Sequence, residues 1–211
     1  PGAGFLQVDL PGFGDSPLPD RGGFSLDDYV GVLKALFDKL AIGRVVLVGH
    51  SFGGRVAIKF AAAFPEKVFK IVLISSAGIP QKLARVHLLK IGRGIFRSVF
   101  FALEGLPFIS KLKNLLGAFF GSADYRQTSG ALQATFQKTF AEDLRPYAAE
   151  IKAPVMILWG RSDEITPLEN GKEFDALIKN SRLEVLEGGH FVFLEKPAEM
   201  AGLIASFLEH A

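Results

Sequence analysis

Short apolar runs rich in Val, Ile and Leu alternate along the chain with stretches whose apolar residues recur at helical spacing. The runs cover residues 5–10, 45–48, 68–74, 155–158 and 183–186, each the length of a strand rather than a helix. Strands separated by helices imply a mostly parallel sheet with flanking helices, an α/β fold. The first helix is signalled from Ser25 to about Leu40. Leu26, Tyr29, Leu33, Leu36, Phe37 and Leu40 share one face, Ser25 can cap the start, and Asp28 completes a capping box. A second helix should begin just after Ser51 and stop near Phe64, because Pro65 cannot continue it; Ala57, Ala61 and Ala62 permit close approach to the strands. A last helix is expected from about Pro197, a first-turn proline, to Leu208.

Between residues 79 and 150 the strand signal disappears, and the segment reads as helices broken by Gly92, Gly94, Gly105, Pro107 and Gly121. The expected organisation is therefore a core of residues 1–78 and 151–211 with a helical cap, 79–150, inserted into it. From Ile79 to Ala118 the cap carries Lys82, Arg85, Lys90, Arg93, Arg97, Lys111 and Lys113 against Glu104 alone. Such a surface suits an anionic substrate, an acidic carrier protein or a membrane face, although a solvated cationic helix face would look the same.

Composition narrows the function. With 211 residues, 49% of them apolar, the chain can bury a sizeable core. A net charge of +2, without interleaved aromatic and basic residues, argues against nucleic-acid binding. No cysteine is present, which excludes disulfides, thiolate catalysis and cysteine-held zinc, and the four histidines, at 50, 87, 190 and 210, lack metal-binding spacing. Neither a metal nor a diffusible cofactor is expected. With no leader pattern and no apolar run long enough to span a bilayer, stable membrane insertion is not expected and a cytoplasmic location is the default.

The chemistry-bearing residues lie where strands end. Gly49-His50-Ser51-Phe52-Gly53-Gly54 follows an apolar run and opens an apolar helix, the setting that makes a G-x-S-x-G match a nucleophile elbow. Flanking glycines would relieve crowding at the sharp turn, and the Phe52 N–H, at the positive end of the helix, can donate to an oxyanion. The bland alternative is a glycine-rich turn with Ser51 as an N-cap. A serine nucleophile needs a base, and His190 in Glu187-Gly188-Gly189-His190-Phe191 sits just after the last strand on a glycine-bearing loop. His50 should point away from Ser51, His87 lies in the cap, and His210 is terminal. Asp163, in Gly160-Arg161-Ser162-Asp163-Glu164, can orient the imidazole, with Glu164 an adjacent competitor. The loop after Ile74 offers Ser75, Ser76, Ala77 and Gly78, and no acid.

Ser51, Asp163 and His190 occur in the order nucleophile, acid, base, and the chain resembles the α/β-hydrolase family. Asp9-Leu10-Pro11-Gly12-Phe13-Gly14-Asp15-Ser16 is similar to that family's turn after its fourth strand, and Gly189-His190-Phe191 through Glu195-Lys196-Pro197 to its histidine loop. The pattern departs upstream: the His-Gly loop that supplies a second oxyanion donor is absent before Ser51, as is the third strand that would lie between residues 5–10 and 45–48. These absences and the non-Met start suggest a chain lacking the family's N-terminal strands; the other reading has residues 1–4 supplying backbone donors. The resemblance implies a serine hydrolase acting through an acyl-enzyme. The cap residues Leu83, Val86, Leu88, Leu89, Ile91, Ile95, Phe96, Phe100, Phe101, Leu103 and Leu106, enough to line an apolar pocket as well as to pack, make a carboxylic ester of a small or medium apolar substrate the expected one. Two alternatives accompany it: a carbon–carbon bond hydrolase for vinylogous diketones using the same triad, and a ligand-binding fragment without turnover. Serine at position 51 disfavours dehalogenation through an aspartate nucleophile.

Overall fold

The computed structural model describes residues 4–17, 23–80, 134–135 and 138–209. The chain divides into two compact units, Pro1–Phe24 with Pro80–Lys138 and Ser25–Ile79 with Thr139–Ala211. Residues 81–133 and 136–137 of the expected cap, with its basic and apolar residues up to position 118, lie outside the described residues, as does His210.

The second unit is built on four parallel strands, β1 (Val45–His50), β2 (Val68–Ile74), β3 (Val155–Gly160) and β4 (Ser181–Leu186), in the order β1-β2-β3-β4. Val48 stands beside Val72, Val72 beside Met156, and Met156 beside Arg182. Every residue of β3 is buried, as expected of an interior strand covered on both faces.

Among the described residues, helices α1 (Leu26–Lys39), α2 (Phe52–Ala63), α3 (Arg145–Glu150), α4 (Leu168–Leu177), α5 (Val192–Glu195) and α6 (Pro197–Glu209) connect and cover the strands. The N-terminus of α1 forms as the sequence implies. The Asp28 N–H donates to Ser25 Oγ at 3.2 Å, and the Ser25 N–H donates to Asp28 Oδ2 at 2.9 Å. Side chains alternate across each strand, so Trp159 meets α4 at Gly171 while its neighbour Leu158 joins the opposite core with Val72, Ile74, Met156, Leu186, Val192 and Met200. The α5 and α6 residues Phe193, Leu203, Ile204 and Phe207 pack against that core.

Buried cations sit where carbonyls or carboxylates receive them. Lys70 of β2 donates to the carbonyls of Phe207 (2.7 Å) and Leu208 (3.2 Å), satisfying the C-terminal end of α6. Arg55 of α2 donates to the carbonyls of Thr139 and Glu142, and Lys59 pairs with Asp27 and Glu142, so α2 holds the segment that leads into α3.

One expected strand does not form. Residues 5–10 adopt no regular structure, with Phe5 90% and Leu6 48% exposed. Apolar, strand-prone residues make a strand only when a neighbour completes the ladder, and among the described residues nothing pairs with this run. The sheet instead starts at β1, where Val46 and Val48 remain exposed. The following turn does form, with the Phe13 N–H donating to the Leu10 carbonyl at 2.8 Å.

Candidate active site

Ser51 occupies the one-residue turn between β1 and α2 with φ +48° and ψ −108°. A non-glycine residue there carries strain of about 1–3 kcal/mol, which the surroundings must hold in place. They do so through the backbone: the Ser51 N–H donates to the Ile74 carbonyl (3.1 Å), and the Ser51 carbonyl accepts from the Ala77 N–H (3.1 Å). The Ser51 side chain makes no capping hydrogen bond to α2, so the N-cap alternative lacks the interaction that would define it.

The glycines around the serine do not play equal parts. A Cβ on Gly49 would lie 2.6 Å from the Gly53 carbonyl carbon and oxygen, and one on Gly54 would lie 2.1 Å from Ser76 Oγ, whereas one on Gly53 would meet nothing within 4 Å. Crowding therefore explains the first glycine of the pattern and the one beyond its end, not Gly53 itself. Phe52 takes the first position of α2, where helix N–H groups point out of the helix, and its ring packs edge-on against Tyr29 at 5.1 Å.

His190 and Asp163 meet directly. His190 Nδ1 lies 2.9 Å from Asp163 Oδ2, with both residues buried. Because a carboxylate only accepts, Nδ1 carries the proton and Nε2 is left as the basic nitrogen. Asp163 is itself fixed: Oδ1 accepts the N–H groups of Ile165 (2.9 Å) and Thr166 (2.8 Å), and Oδ2 also accepts the Thr166 hydroxyl (2.8 Å). Burial, the largest influence, would raise the Asp163 carboxyl; the hydrogen bonds from His190 and Thr166 outweigh it and hold the group below its ordinary value. The neighbouring Glu164 is exposed.

Strands β1 and β4 form opposite edges of the described sheet, so the loop after β4 must cross the ends of β3 and β2 to bring His190 near Ser51. Two contacts trace that crossing. At the end of β3, a Cβ on Gly160 would fall 2.1 Å from the Gly189 carbonyl oxygen, so the loop runs where only a glycine leaves room. At the end of β1, His50 Nε2 donates to the His190 carbonyl at 3.0 Å, and the two imidazole centroids are 4.8 Å apart. His190 thus reaches the residue immediately before Ser51.

Two residues at this site were given no role from the sequence. Thr166 belongs to an Asp-x-x-Thr spacing in which the aspartate receives the N–H groups two and three residues on, a legible turn signal. Its Oγ1 also lies 3.1 Å from both the Ser75 carbonyl and His190 Nδ1. His50 was expected to face away from Ser51, and the crossing loop that meets its ring has no local signal. Burial pushes its imidazole down to about 4, so it is neutral at neutral pH.

Among the described residues no helix is long and apolar enough to cross a membrane. Known proteins align with nearly all of the chain. An uncharacterised protein of Mycobacterium tuberculosis is 30% identical over 97% of this chain and 67% of its own length. A 2-hydroxy-6-oxononadienedioate/2-hydroxy-6-oxononatrienedioate hydrolase of Pseudomonas putida is 28% identical over 99% of this chain and 79% of its length. A thermophilic esterase from Thermogutta terrifontis shares the fold at 22% identity, with a TM-score of 0.68 over 94% of this chain and 77% of that one. The model of the alpha/beta hydrolase fold matches residues 2–197, and with the strand-to-helix turn at Ser51 and the Asp163–His190 pair already in view, the chain belongs to the α/β-hydrolase family.

Proposed function

We propose that this protein is a serine hydrolase that cleaves a carboxylic ester of a small or medium apolar substrate through an acyl-enzyme on Ser51. The observation that carries the reading is the buried His190 Nδ1–Asp163 Oδ2 hydrogen bond, on a loop held beside the strained Ser51 turn. In this reading His190 Nε2 takes the Ser51 proton as Oγ attacks the carbonyl, and Asp163 fixes the tautomer and stabilises the imidazolium that forms. The Phe52 N–H donates to the oxyanion at the positive end of α2. His190 then protonates the departing alkoxide, activates a water on the acyl-enzyme, and returns the acid product and free serine.

A second reading is favoured by the relatives. The Pseudomonas putida hydrolase is named for a 2-hydroxy-6-oxo dienedioate, a compound that offers no ester, so its hydrolysis adds water across a carbon–carbon bond beside a ketone. The same serine, histidine and aspartate could serve that reaction on this chain.

Intact mass after exposure to a fluorophosphonate tests the shared core of both readings. One adduct on the wild type and none on Ser51→Ala is expected; no adduct on either would overturn both. Turnover of p-nitrophenyl acetate and butyrate against a 2-hydroxy-6-oxo-dienoate then separates them, and ester cleavage faster by about tenfold or more supports the first.

A further inference from the structure

We propose that His50 is a positioning residue for the reaction: its Nε2–H holds the main chain of His190, so the residue before the nucleophile fixes the loop that carries the base. The proposal rests on the reading of Ser51, His190 and Asp163 as the reacting triad. A carbonyl only accepts, so the 3.0 Å contact requires the proton on His50 Nε2. The ring is enclosed by the loop it holds, with centroids 4.8 Å from His190, 5.6 Å from Phe191 and 4.8 Å from Phe193. The titratable groups acting on it are His190 and Asp163, and burial keeps the ring neutral.

The need for such an anchor follows from the topology. His190 leaves β4, three strands from β1, and its approach to Ser51 is not set by strand pairing. Asp163 orients the imidazole from the side of β3 and fixes its rotation, whereas the distance from the β1 turn is set on the other side, where His50 grips the His190 peptide. Because His50 and Ser51 are consecutive, any shift of the β1–α2 turn carries nucleophile and anchor together. Reacting groups tolerate little error: a displacement of about 1 Å can cost about 100-fold in rate.

The test uses His50→Phe, which keeps an aromatic ring without a donor, and His50→Gln, which restores an N–H. His50→Phe should slow fluorophosphonate labelling and lower kcat about 10- to 100-fold with KM within about twofold, and His50→Gln should recover most of the loss. Wild-type rates in a folded His50→Phe variant, or equal impairment of both variants, would overturn the proposal in favour of simple packing. Nitrogen-15 histidine spectra give an activity-free readout. His50 should be the Nε2–H tautomer, and the His190 Nδ1–H resonance should shift in His50→Phe and return in His50→Gln. An Nδ1–H tautomer of wild-type His50 would overturn the proposal even if His50→Phe does not fold. Failure of wild-type labelling with the histidine spectra as expected would instead reject the serine-hydrolase reading and leave the anchor standing.

Discussion

Replacing Gly160 by alanine should displace the histidine loop and with it most of the activity. The new Cβ would lie 2.1 Å from the Gly189 oxygen, 2.7 Å from the Gly188 oxygen and 2.9 Å from the Gly189 carbonyl carbon. All three are backbone atoms, so no side-chain rotation relieves the overlap. Ordinary non-bonded contact between heavy atoms is about 3.5 Å, which requires the strand end and the loop to part by about 1 Å or more. The two are tied by the Arg161 N–H to the Leu186 carbonyl and the Ser162 N–H to the Gly188 carbonyl, both at 2.9 Å, so separation strains these bonds as well. Overpacking of this kind costs about 1–3 kcal/mol, roughly 2–12 °C in Tm for a chain of this size. If His190 moves by a similar distance relative to Ser51, fluorophosphonate labelling should slow by about 100-fold. The assay is a mass-resolved labelling time course beside a thermal melt. Gly53→Ala is a stability control, since its Cβ meets nothing within 4 Å and it should be neutral or stabilising by up to about 1 kcal/mol. A Gly160→Ala variant that labels and melts like the wild type would refute the crossing geometry.

Asp163→Asn keeps the shape but removes the charge and the tautomer control; labelling and kcat should fall by about 10³- to 10⁴-fold, and a loss under tenfold in a kinetic assay would mean another group orients His190. Thr166→Val takes one hydrogen-bond donor from a buried carboxylate and should destabilise by about 1–3 kcal/mol in urea unfolding; an unchanged midpoint would show that the hydroxyl is dispensable. His50, with an ordinary value of 6.5 and a folded value of about 4, binds fewer protons folded than unfolded across that window. Its contribution should be fully present above about pH 6.5 and lost as the pH falls toward 4, by about 3 kcal/mol. Urea unfolding at pH 7 and pH 4 should show a larger drop for the wild type than for His50→Gln, and equal drops would contradict a buried neutral ring.

Local signals in the sequence carried far. The run 68–74 is β2 residue for residue, the capping box at Ser25 and Asp28 starts α1, and Pro65 ends α2 where its ring forbids continuation. Helix α4 was missed because its apolar residues make a weak stripe, with Gly171 in its interior where the helix closes on Trp159. The run 5–10 failed for the opposite reason: its composition is strand-like, but a strand is a property of two segments, and only one was visible. Asp163 and His190, which the structure brings together, and Ser51, on its strained turn, were picked out because each sits in a short motif at the end of a strand. Thr166 and His50 were not, since their roles arise from which loop folds over them. Gly53 shows the same limit, because membership in a motif does not reveal which glycine the backbone crowds.

In the described four-stranded sheet the Ser51 turn lies at one edge and the root of the His190 loop at the other, separated by the width of the two intervening strands. No single interaction spans that width, so the approach has to be built in steps along the loop. Gly160 removes the obstacle at β3, Asp163 and Thr166 fix the imidazole beyond it, and His50 receives the His190 peptide at β1. Each step acts on the same few residues, 187–191, so the perturbations should not be independent. Combining Gly160→Ala with His50→Phe should cost less in labelling rate than the product of the two single losses, because a loop already displaced at β3 has little left to lose at β1. Losses that multiply in the double variant would mean that the two contacts act on separate parts of the loop.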